Sequence, residues 1–425
     1  MGTTESGTRP MSHHHVIERH RLAAGLELTV LPDPSSPAVA VNLTFQVGSV
    51  DEDPRATGFA HLFEHLMFQG SAEVAPGEHM ATIEALGGSV NAYTSSDRTV
   101  YHETVPPGAL ELVLWLEADR MRSLDISQTN LDAQRDVVAQ EKAQRYDNRP
   151  YGDLLETLVT QHFPADHPYG HLPIGSMAHL AEADLHDVTA FHRRWYRPSN
   201  ARLVLAGAVD PAEAVDLVER HFSGITDAPV PERTTPGDPM TSAQSLVHRG
   251  RVPHPLIHLS WLAPPAGHRD FLALELGLAV LGEGHASRLH RRLVKENAVA
   301  QEVHTFLIGH LRGPSLAVVQ ARPTEGVSPE ELTEALRVEL CGFTGPDRRE
   351  LARARAKAER DWLEELASVE GRAAVAADAW LTHGDPEDMN AHLDRLAAIH
   401  SEDIARALAG RTDAAALHYL PEEKP

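Results

Sequence analysis

The sequence predicts an α+β fold made of two similar halves, each a mixed, mainly antiparallel β-sheet covered by α-helices. Three observations carry this. Strand-like alternation and helical periodicity are interleaved along the chain, with Gly and Asn at hairpin positions, in a pattern unlike regular β-α-β units. A run rich in Pro, Thr, Ser and Asp, 223–245 (SGITDAPVPERTTPGDPMTSAQS), contains Pro229, Pro231, Pro236 and Pro239 and has no periodicity, which marks a linker. The segments on either side of it open alike, with a strand, a turn-forming stretch and an apolar helix. The expected division is a first domain over 1–228, a linker over 229–245 and a homologous second domain over 246–425. With 425 residues, each half is long enough to bury its own core.

Taken in order, 39–47 (VAVNLTFQV) alternates like a strand, and an apolar helix is expected around 58–69. A helix over 81–86 is broken by Gly87 and Gly88, and 89–104 contains strands. Apolar residues at helical spacing run through 107–122 (PGALELVLWLEADRMR), and a further helix is expected over about 129–146. Residues 203–206 read as a buried strand closing the first half. In the second half 256–262 (LIHLSWL) is a strand, Pro264, Pro265 and Gly267 form the turn, and 271–281 is an apolar helix. A strand over 315–320 and long helices over 329–340 and 347–366 follow. Neither a coiled-coil register nor a phosphate-cradling Gly loop is evident.

Composition narrows the chemistry. The 38 Lys+Arg against 61 Asp+Glu leave a net charge of −23, and no basic stretch interleaved with aromatics offers a nucleic-acid footprint. The N-terminal stretch has no apolar signal core and nowhere do eighteen apolar residues run together, so a cytoplasmic protein without a membrane span is expected. His13, His14 and His15 lie in a polar terminal segment and read as a solvated tail. The single cysteine, Cys341, excludes an internal disulfide and a cysteine zinc cluster, so a metal would sit on His and carboxylates.

Such a set is present in GFAHLFEHLMFQG, 58–70, where His61, Glu64 and His65 form H-x-x-E-H. At about 100° per residue His61 and His65 lie one turn apart on one helix face, where two imidazoles can grip one zinc with Glu64 beside them. The acid precedes the second His, the inverted order called inverzincin. A helix with one capping His and one core His is the bland alternative. A catalytic zinc site needs a third protein ligand and an open position for water, and the candidate is Glu141 in RDVVAQEKAQRYDN.

The chain resembles the pitrilysin-like inverzincin metallopeptidases, which include the mitochondrial processing peptidase. The resemblance runs through VGSVDEDPRATGFAHLFEHLMFQG, GGSVNAYTSSDRTVYHETVP, RDVVAQE, HPYG at 167–170 and YRPSNARLVLAGAVDP at 196–211, and more weakly through SRLHRRLV at 287–294. The family places a third zinc-ligand Glu 76 residues after the second His, and that position here is Glu141. The resemblance therefore implies one zinc per chain on His61, His65 and Glu141, with Glu64 as the general base that takes a proton from the metal's water and returns it to the leaving amine. It implies a metallopeptidase half-clamshell fold. It also implies that 87–94 (GGSVNAYT) is an edge strand pairing with an extended peptide, Asn91 and Ala92 matching substrate-binding positions; the plain alternative is an interior strand. One departure is Gln134, seven residues before Glu141, where the family often has Glu; a neutral amide there can orient a ligand but adds no charge.

The second half carries no paired His on its apolar helix. In the family a C-terminal domain offers an Arg and a Tyr to the substrate, the Tyr in a G-L-A-Y context. Here Ser287, Arg288 and Leu289 are followed by NAVAQEV, with Gln301 where that Tyr is expected. Four such domains close a peptidase chamber in the family and this chain has two, so the resemblance implies a dimer. It is expected to be a heterodimer with a homologous zinc-less subunit supplying the Arg/Tyr pair, or otherwise a homodimer. The function expected is zinc endopeptidase action on short unstructured peptides, as scavenging or leader-peptide removal. The competing class is an inactive structural or assembly subunit of the same fold.

Overall fold

A computed structural model describes residues 14–422 except 231, 234, 240–243, 410, 412 and 413. The first half contains β1 (Glu18–Arg21), β2 (Glu27–Pro32), β3 (Val39–Phe45), β4 (Ser89–Thr94), β5 (Thr99–Val105) and β6 (Ala201–Gly207), in the spatial order β1-β2-β6-β3-β5-β4. Only the β2/β6 pair is parallel. Its helices are α1 (Phe59–Leu66), α2 (Glu78–Ala85), α3 (Leu110–Ser123), α4 (Gln128–Lys142), α5 (Leu154–His162), α6 (Met177–Glu182), α7 (Leu185–Trp195) and α8 (Pro211–Phe222). The second half contains β7 (Leu246–Gly250), β8 (Leu256–Ala263), β9 (Ala300–Ile308), β10 (Ser315–Pro323) and β11 (Ala415–Pro421), ordered β7-β11-β8-β10-β9. The β7/β11 pair is the parallel one there. Helices α9 (Phe271–Gly282), α10 (Pro329–Cys341), α11 (Arg348–Leu366), α12 (Val369–His383), α13 (His392–Ala398) and α14 (Ser401–Leu408) complete it.

The two sheets match strand for strand, β2-β6-β3-β5-β4 against β7-β11-β8-β10-β9, so α1, which follows β3, has α9, which follows β8, as its counterpart. Every residue of β3 is buried because the strand is covered on both faces, and its two polar residues satisfy each other, Thr44 Oγ1 donating to Asn42 Oδ1 at 2.7 Å. The inner face packs on α1, α3 and α7 through Leu43, Phe63, Val113 and Val188. The outer face is covered from the other half. Ala373, Ala376 and Ala377 of α12 lie on Leu31, Ala40, Val204 and Ala206 of the first sheet, small side chains that let helix and sheet approach closely. In return α5 places Leu158 against Leu316, Val318 and Leu417 of the second sheet, and His162 Nε2 meets Ser260 Oγ at 2.7 Å. Each half thus lends a helix to the other's sheet, an exchange that local periodicity does not reveal.

Helix limits follow their caps. Ser127 Oγ accepts from Asn130 N at the start of α4, and Asp210 caps α8 with Pro211 at its first position. The helix expected over 129–146 ends at Lys142 and continues as a π turn, Ala143–Asp147. Of the expected linker, 231, 234 and 240–243 lie outside the described residues, and Arg233 is anchored: it donates to Asn200 Oδ1 at 2.6 Å and lies over the Trp195 ring. His13 also lies outside the described residues. The chain is already tied down at His15, whose backbone exchanges hydrogen bonds of 2.8 and 3.0 Å with the Asn390 side chain, so the tail expectation does not extend that far.

Candidate metal centre

Helix α1 begins at Phe59 after Gly58, whose φ of +102° favours glycine, so no side chain is available at that position to cap the helix. The cap comes from Glu52. Its carboxylate accepts from Gly58 N at 2.8 Å and Ala60 N at 2.7 Å, placing a negative charge at the helix N-terminus, and it lies 3.0 Å from His171 Nε2. Leu62, Phe63 and Leu66 anchor the buried face, with the Phe63 ring stacked on Phe191 at 5.9 Å. Tyr101 donates to the Phe63 carbonyl at 3.0 Å. With that face fixed, the helical period puts His61 and His65 on the opposite side, ring centroids 4.9 Å apart.

Helix α4 brings Glu141 to them. One carboxylate oxygen, Oε2, lies 3.6 Å from His61 Nε2 and 3.2 Å from His65 Nε2, while Oε1 is paired with Arg145 Nη1 at 2.8 Å. Hydrogen bonding from His61 and His65 holds the Glu141 carboxyl well below the usual carboxylate range. Donors held tetrahedrally at about 2.1 Å from zinc lie about 3.4 Å from one another. The observed separations match that edge, and two imidazoles with one carboxylate form a donor set suited to zinc. The three expected ligands, drawn from two helices, are therefore together.

Glu64 sits beside them on α1, half-buried, with no hydrogen-bond or ion-pair partner for its carboxylate among the described residues. Asn91 and Ala92 lie on β4, the outermost strand of the first sheet, which packs against α1 and has one edge unpaired within the sheet. Asn91 is exposed, and its Oδ1 accepts from Ala92 N at 2.9 Å. Gln134 is buried within α4. His61 Nδ1 is buried without a hydrogen-bond partner among the described residues, so the outer acceptor expected for each imidazole is missing at His61. Gln301 lies exposed on β9.

A second set of donors lies in the core below α1. His79 Nε2 is 3.6 Å from both Glu103 Oε1 and Glu117 Oε1, and Arg120 donates Nε to Glu117 Oε2 at 3.0 Å with its guanidinium 4.3 Å from the Tyr101 ring. Burial pushes Glu117 up to about 8 and His79 down to about 3. The guanidinium already supplies the cation between the carboxylates, which assigns this set to the core rather than to a metal. Neither it nor Glu52 carries a sequence signal, because buried polar partners are chosen by tertiary contact.

A family model described as Insulinase (Peptidase family M16) matches residues 29–171, and one described as Peptidase M16 inactive domain matches residues 182–358. The chain belongs to the M16 peptidase family. The first match contains His61, Glu64, His65 and Glu141, and the second contains none of them. Among M16 relatives, "Zinc protease PqqE" of Helicobacter pylori is 28% identical over 398 residues, spanning 91% of this chain and 88% of that protein. An uncharacterized zinc protease of Mycobacterium leprae is 30% identical over 295 residues, 68% of this chain and 65% of the relative. A crystal structure of a Helicobacter pylori protease superposes with a TM-score of 0.88 at 25% identity, covering 96% of this chain and all of the other (100%). A peptidase M16 inactive domain from Pseudomonas fluorescens, at 17% identity and a TM-score of 0.81 over 96% of this chain and 100% of that one, shares the M16 fold.

Proposed function

We propose that this M16 chain is the zinc-binding subunit of an endopeptidase that hydrolyses short, unstructured peptides. The observation that carries the reading is the convergence of His61 Nε2, His65 Nε2 and Glu141 Oε2 at 3.2 and 3.6 Å. His61, His65 and Glu141 would hold one zinc, which when bound supplies a Lewis acid and acidifies water at neutral pH. Glu64, unpartnered among the described residues and next to those ligands, would accept a proton from the attacking water and return it to the leaving amine, a role worth about 10²–10⁴ in rate. The unpaired edge of β4 offers backbone N–H and C=O groups to an extended peptide, with Asn91 and Ala92 at the point of contact. Pairing through the backbone fits peptides without a fold of their own, as both scavenging and leader-peptide removal require.

The second half supplies Gln301 where a substrate-clamping Tyr is expected, which supports completion of the chamber by a homologous zinc-less subunit in a heterodimer rather than by a second copy of this chain. We place the enzyme in the cytoplasm. An inactive structural role is disfavoured by an intact donor set with a free carboxylate beside it. The test is to purify the chain with candidate zinc-less homologues, measure metal content and follow cleavage of a peptide library. About one zinc per chain is expected, with Glu64→Gln retaining the metal and losing at least about 10²-fold in turnover. A correctly folded chain that takes up no zinc, or cleavage unaffected by Glu64→Gln, would overturn the reading.

A further inference from the structure

The turn between β9 and β10, residues 309–314, reaches out of the second half and into the first. There Arg312 donates from both terminal nitrogens to the Asp51 carboxylate at 2.8 Å each and from Nε to Asp97 Oδ1 at 3.2 Å. Leu311 N donates to the other Asp97 oxygen at 3.0 Å, and Tyr169 donates its hydroxyl proton to Asp97 Oδ1 at 2.7 Å. The Tyr169 ring in turn stacks on His310 at 3.8 Å. Asp51 and Asp97 are both nearly inaccessible, with side chains 3% and 5% exposed, so these are buried charge-assisted contacts rather than surface pairs.

What the two aspartates hold is specific. Asp51 immediately precedes Glu52, whose carboxylate caps α1 at Gly58 N and Ala60 N. Asp97 lies in the turn joining β4 to β5, and the two segments are in contact, with Val50 N donating to Ser96 O at 2.9 Å. A Cβ added to Gly48 would meet Ser96 O at 2.4 Å, so they have no room to slide. One guanidinium from the second half therefore grips both the loop that caps the metal-bearing helix and the turn that ends the peptide-edge strand.

We infer that Arg312 is a positioning residue through which the second half sets the register of α1 against β4, and so the placement of the zinc ligands relative to a bound peptide. This rests on the metallopeptidase reading above. The second half is then a brace for the site as well as a wall of a chamber.

The test compares Arg312→Gln with Arg372→Gln, which removes another tie between the halves, Arg372 Nη2 to Asp33 Oδ2 at 2.9 Å, away from the cap loop. Amide hydrogen exchange on the metal-free chain should show lost protection at Gly58 and Ala60 in Arg312→Gln alone. Zinc affinity by chelator competition should weaken about tenfold in Arg312→Gln and stay within about twofold in Arg372→Gln. Asp51→Asn, which removes charge but little volume, should reproduce the loss, and the double variant should add nothing further. Equal exchange and equal zinc affinity in the two Arg variants would overturn the inference, as would full additivity of Arg312→Gln and Asp51→Asn. Should the parent chain bind no zinc, the metallopeptidase reading fails by itself, and the exchange comparison still decides whether Arg312 holds the cap loop.

Discussion

Helices α1 and α9 occupy equivalent places, each following the central strand of its sheet, yet they answer opposite demands. In α1 one face is buried on Phe191 and Tyr196 while the other presents two imidazoles to Glu141 of α4. The buried share is the same in both, six of eight residues in α1 and nine of twelve in α9, but in α9 it is apolar contact on all sides: Gly277 faces Ile404 and Leu408 of α14 so closely that an added Cβ would meet Leu408 Cδ1 at 2.7 Å. Where α4 offers Glu141 to α1, α11 offers an ammonium: Lys357 Nζ lies 2.5 Å from Glu283 Oε1, just past α9, and 2.5 Å from Asp361 Oδ2. The fold thus tolerates either a ligand cluster or a plain ion pair at this junction, and metal chemistry is a matter of a few side chains on a shared frame.

The sharpest way to break the comparison is to remove the carboxylate from each side. Glu141→Gln keeps the shape but removes the charge, and zinc affinity should fall by at least about 100-fold. Asp361→Asn, at the corresponding junction, should leave zinc content unchanged. Equilibrium dialysis with metal analysis reads both. Equal zinc retention in the two variants would mean that the 3.2 and 3.6 Å contacts of Glu141 have no part in holding metal.

The same contrast explains what could be read in advance. His61, Glu64 and His65 were legible because a helix places residues four apart on one face, so a pentapeptide is enough to define two ligands. Glu141 is contributed by another helix, and only the spacing of the resembled family pointed to it. That β4 is a strand was legible through Gly87, Gly88 and the alternation of 89–94, its edge position only through the resemblance; β3, α10 and α11 were legible through periodicity, and β8 and α9 as apolar runs on either side of a turn signal. The docking of α5 on the second sheet and α12 on the first was not, because an apolar stripe says that a helix is covered but not by which sheet. Strand β1 is only four residues long, and β7 and β11 pair with each other across most of the second half. Glu52 and Arg312 are ordinary charged residues until folding brings them within 3 Å of their acceptors and donors.

Acid and base should probe different buried groups, and each half holds some of both kinds: burial raises Glu117 in the first and Glu275 in the second. In the first half burial pushes Glu117 from 4.5 up to about 8, so the native state keeps a proton that the unfolded chain releases. That stability is fully present below pH 4.5 and is lost as pH rises towards 8. In the second half burial holds His258, hydrogen-bonded to Gln320 at 3.0 Å, down from 6.5 to about 4. Its contribution is present above pH 6.5 and is lost as pH falls towards 4, and His79 in the first half acts in the same direction. Urea unfolding between about pH 7.5 and 8, above the range in which unfolded histidines titrate, should therefore show stability falling with pH, and Glu117→Gln should flatten that slope even though it weakens the pairing of Arg120. An unchanged slope would place the released proton elsewhere.

The smallest effect is expected at the Lys357 ion pair of the α9–α11 junction. Lys357, Glu283 and Asp361 have side chains 36%, 42% and 43% exposed, so water screens their attraction, and ordering a lysine opposes it. Lys357→Met keeps most of the aliphatic stem while deleting the charge, and should change unfolding free energy by no more than about 1 kcal/mol. Zinc content should stay at the parental level. A loss well above that, read from urea midpoints at an unchanged slope, would show that the α9–α11 junction depends on its ammonium, a cation among carboxylates as zinc would be among the ligands of α1 and α4. The two halves would then differ in which cation they need, and no longer in whether they need one.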